Sequence, residues 1–219
     1  INVKSLIKNN VMGTYNVLDI SKQTKVDRFI LISTDKAVNP TNNMGASKRF
    51  CELLTLAYAT QFNLNASAVR FGNVLASRGS VVPLFREQIQ QGGPITVTHP
   101  DITRYFMTIP EASRLVLQAG MISKGKEIFT LDMGKPIKIV DLAKDMIRLS
   151  DKREDEIEIR YTGLRPGEKM YEELSYNPDS ITKTVHPKIY VEDEDDTLPL
   201  NALDGVLGDI SQSGKGFCW

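Results

Sequence analysis

Apolar residues recur at Val3, Leu6, Ile7, Val11, Tyr15 and Leu18, close to a 3.6-residue period, and this predicts a helix over 3–24. Phe29, Ile30, Leu31 and Ile32 then form a nearly continuous apolar run, which predicts a strand over 28–33 covered on both faces. Residues 34–43 carry Pro40 and three asparagines and read as a loop. A second helix is predicted over 45–62, with Phe50, Leu53, Leu54, Ala57 and Tyr58 as its apolar stripe. Another short apolar strand follows over 66–71. Helix, strand, helix and strand within about 70 residues argue for parallel pairing in an α/β sheet.

Beyond Gly72 the elements shorten. The pattern predicts helices over 83–91, 110–120 and 139–149 and strands over 95–98, 128–131 and 157–161, with a loop over 163–167. Pro110 suits the first turn of its helix, where a missing N–H costs nothing. After residue 175 the pattern weakens. Glu192 to Asp196 is an unbroken acidic run, read as a solvated linker, and 211–219 reads as a tail without structure.

Composition narrows the function classes. The chain has 219 residues, 41% hydrophobic and 25% charged, as in a globular protein with a real core. Lys plus Arg and Asp plus Glu both number 27, so no net field recruits nucleic acid or anionic lipid. Two cysteines, Cys51 and Cys218, and two histidines, His99 and His186, offer neither a zinc site nor a disulfide framework, and no metal is expected. No apolar run reaches the ~20 residues that span a bilayer, so no membrane contact is expected from this chain itself. The first residue is Ile1, and no signal peptide is visible. The expectation is that the chain begins inside a longer protein.

Two constellations could carry chemistry. Ser33-Thr34-Asp35-Lys36 stands at the carboxyl end of an apolar strand, where ligands bind in open parallel sheets. Adjacent carboxyl and ammonium groups can serve as acid and base to neighbouring substrate atoms. The same four residues also suit a polar strand exit facing water. Met44 and Lys48 fall at i and i+4, on one helix face. Short-chain dehydrogenases carry Tyr-x-x-x-Lys in such a place, but Met44 exchanges no proton.

Taken in order, the motifs are more specific. They comprise Asn10-Val11-Met12-Gly13-Thr14-Tyr15-Asn16-Val17, Leu31-Ile32-Ser33-Thr34-Asp35-Lys36-Ala37-Val38-Asn39-Pro40, Met44-Gly45-Ala46-Ser47-Lys48, Val69-Arg70-Phe71-Gly72-Asn73-Val74, Arg78-Gly79-Ser80-Val81-Val82-Pro83-Leu84-Phe85, Thr103-Arg104-Tyr105-Phe106-Met107 and Gly163-Leu164-Arg165-Pro166-Gly167-Glu168-Lys169. The chain resembles, over about 1–191, the capsular-polysaccharide family of nucleotide-sugar 4,6-dehydratases among the extended short-chain dehydrogenases. It is similar to the UDP-N-acetylglucosamine 4,6-dehydratases, some of which carry Met at the Tyr position.

The resemblance implies an α/β fold: a partial Rossmann-like parallel sheet over 1–75, a smaller α/β substrate-binding lobe mainly within 76–191 with some elements returning to the core, and an acidic linker and flexible tail over 192–219. It implies NAD as cofactor, a UDP-sugar as substrate, and a cytoplasmic enzyme, at the inner membrane face where an amino-terminal anchor precedes it. A homo-oligomer would form through the helices at 3–24 and 45–62. By position, Asp35 would protonate the leaving C6 hydroxyl, Lys36 would take the C5 proton, and Thr34 would help orient or deprotonate the C4 hydroxyl, whose proton goes to Thr34, Asp35 or water. Lys48 would bind the nicotinamide ribose, with Phe71 and Asn73 near the nicotinamide and the substrate. Arg104 and Arg165 would hold the diphosphate, Val82, Pro83 and Phe85 would frame the uracil, and Glu168 would accept from a ribose. Val82 and Phe85 suit a core equally well, and either arginine suits a surface. A 4-epimerase on the same scaffold, or a non-catalytic UDP-sugar-binding fragment, are the other readings. One departure bears on the cofactor. The 15 glycines never take the Gly-x-Gly-x-x-Gly spacing that holds a dinucleotide pyrophosphate. The chain is therefore expected to be the carboxyl-terminal part of the catalytic domain.

Overall fold

The computed structural model describes residues 2–77, 79–176, 181–192, 198–203, 205, 207 and 208. The chain divides into two compact units. The first takes Ile1–Arg70, Leu115–Asp132 and the described residues from Leu174 onward; the second takes Phe71–Arg114 and Met133–Glu173.

The first unit is built on a five-stranded sheet in the order Phe29–Ile32, Ala66–Arg70, Ile128–Leu131, Ile189–Glu192, Ile181–Lys183. The first three strands run parallel, Phe29 opposite Ala66 and Ala68 opposite Ile128. The last two are antiparallel, with Ile189 opposite Leu131. Ala66–Arg70 is buried at every position, as an inner strand should be. Phe29–Ile32 lies outermost among the described strands, and Ile32 is exposed, so the expected cover on both faces holds only in part. The helix Asn43–Phe62 starts at Asn42, whose side chain accepts from the Gly45 N–H at 3.0 Å, and stops at Asn63, which takes the left-handed conformation. Its Cys51, Leu54, Leu56 and Tyr58 pack with Val11, Leu18, Leu31 and Ile128 in one apolar cluster. Burial raises the Cys51 thiol above its ordinary pKa, and the thiol donates to the Asn10 carbonyl.

Two expectations are corrected here, the first and third below, and another is made specific. The first helix is not uniform: α-helical Val3–Leu6 and Gly13–Thr24 flank a π-helical turn, Ile7–Met12. The wider turn carries Asn10 to the second helix, where its amide donates to Ser47 at 2.9 Å. Second, the elements returning to the core include the residues from Leu174 onward, where Ile181–Lys183 and Ile189–Glu192 extend the sheet. Third, the stretch from 192 is not simply linker and tail. Glu192 is buried and accepts from Thr130 and Ser175, both at 2.7 Å, and Leu200, Leu203 and Leu207 lie in the main apolar cluster. The rest of the acidic run and the tail at 211–219 lie outside the described residues.

The second unit holds three two-stranded pairings: Asn73–Val74 with Phe106–Met107, Ile95–Val97 with Ile159–Tyr161, and Thr103–Arg104 with Ile137–Lys138. The helices Val81–Gln90 and Ile139–Arg148 bury Phe85 and Ile89, and Ile139, Ala143 and Ile147, against Ile95, Val97, Ile102 and Ile157. No helix among the described residues is long and apolar enough to cross a membrane.

Candidate functional site

The carboxyl end of Phe29–Ile32 is a built turn. Ser33 still pairs through its N–H with the Val69 carbonyl at 2.8 Å, and the chain then tightens into a 3₁₀ turn, Asp35–Ala37. Thr34 caps that turn, accepting from the Lys36 N–H at 3.4 Å. The Ala37 and Val38 amides donate to the Thr34 and Asp35 carbonyls, each at 3.1 Å. The whole turn lies against the start of Asn43–Phe62, and Gly45 sets the approach. A Cβ at Gly45 would stand 2.1 Å from the Lys36 carbonyl oxygen. Gly45→Ala is therefore expected to force the turn off its helix, costing about 1–3 kcal/mol in urea unfolding, as other overpacked contacts do.

Inside the turn Asp35 is fully buried. Its Oδ1 accepts from the Thr34 hydroxyl and from the Lys36 ammonium, both at 2.8 Å. Its Oδ2 is buried with no hydrogen-bond partner among the described residues. A carboxyl oxygen in that position wants either a proton or a donor from outside the chain. Thr34 gives its own hydrogen to Asp35, which leaves its oxygen able to accept from a ligand hydroxyl. One turn along the helix, Lys48 donates to the Ile32 carbonyl at 3.0 Å, at the end of the same strand. Thr34, Asp35, Lys36 and Lys48 are thus brought together, and Met44 is half-buried beside the turn.

In the second unit Asn73 pairs twice with the Tyr105 carbonyl, through its N–H at 3.0 Å and its side-chain amide at 3.2 Å. Phe71 is half-buried ahead of it, and the Gly72 N–H donates to the Met133 sulfur at 3.5 Å. Arg104 and Glu168 meet, the guanidinium Nη2 at 3.3 Å from Oε1. Arg104 is 9% exposed and also donates to the carbonyls of Thr103 and Met170, with Glu172 at 3.6 Å. Its guanidinium is thus largely taken up by groups of its own unit. Glu168 likewise receives Thr98 on Oε1 at 3.2 Å and the Arg165 N–H on Oε2 at 3.1 Å, so it ties the 163–167 loop to Thr98 and Arg104. Arg165 is exposed, and no partner holds its guanidinium among the described residues. Phe85 takes the core position that the sequence also allowed: it is fully buried in the apolar cluster, one turn from both Val81 and Ile89. Val82, one position round the helix, stays half-buried.

Several residues escaped the sequence reading. Glu52 and Arg70 are fully buried and joined by a two-pronged ion pair, Nε to Oε1 at 2.8 Å and Nη2 to Oε2 at 2.7 Å. A charge inside each apolar run was the available signal. Ser80 caps Val81–Gln90 with its hydroxyl buried and without a partner among the described residues. No group of His, Cys, Asp and Glu among the described residues is arranged to hold a metal ion.

Comparison with known proteins places these features. A family model described as polysaccharide biosynthesis protein matches residues 1–194. The chain is 58% identical over 191 residues to the capsular polysaccharide biosynthesis protein CapD of Staphylococcus aureus, which covers 86% of this chain and 32% of CapD. It is 41% identical over 176 residues to a UDP-glucose 4-epimerase of Rickettsia canadensis, over 79% of this chain and 50% of the epimerase. Among solved structures, Pen from Bacillus thuringiensis superposes with a TM-score of 0.75 at 36% identity, covering 84% of this chain and 58% of that one. A dTDP-glucose 4,6-dehydratase from Bacillus anthracis, solved in complex with NAD, shares the fold at a TM-score of 0.65 and 17% identity, over 73% and 57% of the two chains. The chain thus spans about a third of CapD's length and half of the epimerase's. Its mixed α/β sheet, its ordered motifs and the match over nearly all its described length agree: this chain belongs to the polysaccharide biosynthesis protein family.

Proposed function

We propose that this chain carries the catalytic turn and the sugar-nucleotide residues of a UDP-N-acetylglucosamine 4,6-dehydratase that works with NAD. The observation that carries the reading is the buried Asp35 carboxyl, one oxygen held by Thr34 and Lys36 and the other buried with no partner among the described residues. NAD, when bound, supplies the hydride acceptor for C4 and returns the hydride at C6. Lys48 fits the ribose next to the nicotinamide, since an ammonium has three donors and Ile32 takes one. Nothing among the described residues fits the pyrophosphate, in keeping with the missing glycine spacing.

The remaining steps belong to the turn. Thr34 accepts from the C4 hydroxyl and, as the hydride leaves C4, relays that hydroxyl's proton to Asp35. Lys36 takes the C5 proton, which the 4-ketone has made acidic. Asp35 gives a proton to the C6 hydroxyl, which leaves as water. The proton that Asp35 receives from C4 is the one it gives up at C6, and Lys36, acting as the neutral amine, returns its proton to C5 as the hydride adds at C6. In the second unit, Arg165 is the open fork for the diphosphate and Val82 borders the uracil, with Arg104 and Glu168 holding the loop that carries Arg165. Asn73 and Phe71 stay near the nicotinamide in this reading. The pairing of the helices at 3–24 and 45–62 into a homo-oligomer is part of the same proposal; Val17 and Ile20, each 55% exposed, are what it would cover.

A 4-epimerase is the second reading, favoured by the identity to the Rickettsia protein. It needs no acid at C6. Incubating the full-length protein with NAD and UDP-N-acetylglucosamine separates them: a dehydratase product is lighter by one water, whereas an epimer has unchanged mass. Arg165→Ala is expected to weaken UDP-sugar binding by about 1–3 kcal/mol in calorimetry. Arg165→Lys should restore little, because an ammonium cannot present two parallel donors.

A further inference from the structure

Among the described residues Asp35 is held by Thr34 and Lys36, both in its own turn. Its position is therefore inherited from whatever holds the turn's two ends. At the leading end, the Ser33 hydroxyl donates to Glu52 Oε1 at 2.5 Å. Glu52 is fully buried, and besides Ser33 it receives Arg70 twice and Arg49 at 3.1 Å. At the trailing end, the Tyr176 hydroxyl donates to the Ala37 carbonyl at 3.0 Å. The Tyr176 ring lies over the same two guanidinium groups, 5.0 Å from Arg49 and 5.2 Å from Arg70. Both ends of the turn are thus moored to one buried charge cluster. Arg70 in turn sits 3.9 Å from Glu192, which Thr130 and Ser175 hold. A fold that needed only stability would do as well with apolar residues in place of such a pair.

We propose that Glu52 and Tyr176 are positioning residues, Glu52 acting through Ser33 and Tyr176 through Ala37, which together clamp the Thr34–Lys36 turn in its reactive geometry. The role in turnover rests on the dehydratase reading; the clamp itself does not. A displacement of about 1 Å in a reacting group is enough to cost 10²-fold in rate, so a loosened turn should lower kcat while leaving sugar-nucleotide binding alone.

The test uses Ser33→Ala and Tyr176→Phe in the full-length protein. Each removes one mooring bond and leaves the Glu52–Arg70 pair intact, so both variants should fold. Amide hydrogen exchange is read at Lys36, Ala37 and Val38 and compared with the strand Ala66–Arg70, which reports global unfolding. The expected result is exchange at the turn faster by about tenfold or more in both variants, unchanged exchange in the strand, and kcat lower by about tenfold at unchanged KM. Unaltered exchange at the turn overturns the clamp. Faster exchange at the turn with parental kcat overturns its role in turnover. The exchange measurement needs no substrate, so it decides the clamp even if the parent dehydrates no UDP-sugar, a result that would instead remove the dehydratase reading.

Discussion

Asp35→Asn in the full-length protein is expected to lower turnover of UDP-N-acetylglucosamine by roughly 10²-fold or more, the scale for losing a positioned acid, with UDP-sugar affinity nearly intact. The geometry makes this substitution clean. Thr34 and Lys36 both donate to Oδ1, so an asparagine oxygen takes that place and the amide group turns to where Oδ2 stands. The amide can still donate a hydrogen bond from that place but cannot release a proton to a departing hydroxyl. Lys36→Met provides the complementary measurement. It should abolish exchange of the C5 proton with deuterated solvent, because no base remains beside that carbon, whereas Asp35→Asn should keep some of that exchange. Turnover of Asp35→Asn within threefold of the parent would make the turn a polar strand exit and nothing more.

The reason this turn was legible in the sequence is local. An apolar strand that ends in Ser33-Thr34-Asp35-Lys36 declares its own carboxyl end, and the crevice at that end follows from parallel pairing. Helix Asn43–Phe62 was legible for a similar reason, with an unbroken apolar stripe and Asn42 in place to cap it. What stayed hidden depends on partners distant in the chain. The π-helical turn at Ile7–Met12 inserts into a pattern that a 3.6 period already satisfies, and its use appears only when Ser47 and Cys51 come to meet Asn10. Strands Ile181–Lys183 and Ile189–Glu192 are short and split by His186-Pro187, and their pairing partner lies at Ile128–Leu131. Glu192 looked solvated because four acidic residues follow it, yet Thr130, Ser175 and Arg70 bury it. Phe85 and Val82 are neighbours on one helix, and only the packing of Ile89 and Val81 shows which of them turns inward.

The largest expected effect on stability falls on the buried pair. Arg70→Met or Glu52→Leu alone is expected to cost about 3–5 kcal/mol in urea unfolding, because each leaves the opposite charge in the interior. Arg70 then keeps Glu192 at 3.9 Å, and Glu52 keeps Arg49 and the Ser33 hydroxyl. The double variant Glu52→Leu/Arg70→Met should recover most of that loss, since two apolar side chains can fill the space without a charge to solvate. Additive losses in the double variant would show that the two residues are not coupled. Activity separates the remaining possibilities. If the pair served only the fold, the double variant would regain turnover along with stability. If Glu52 holds Ser33, the recovered fold still lacks an acceptor at the head of the catalytic turn, and kcat stays depressed while KM for the UDP-sugar is unchanged.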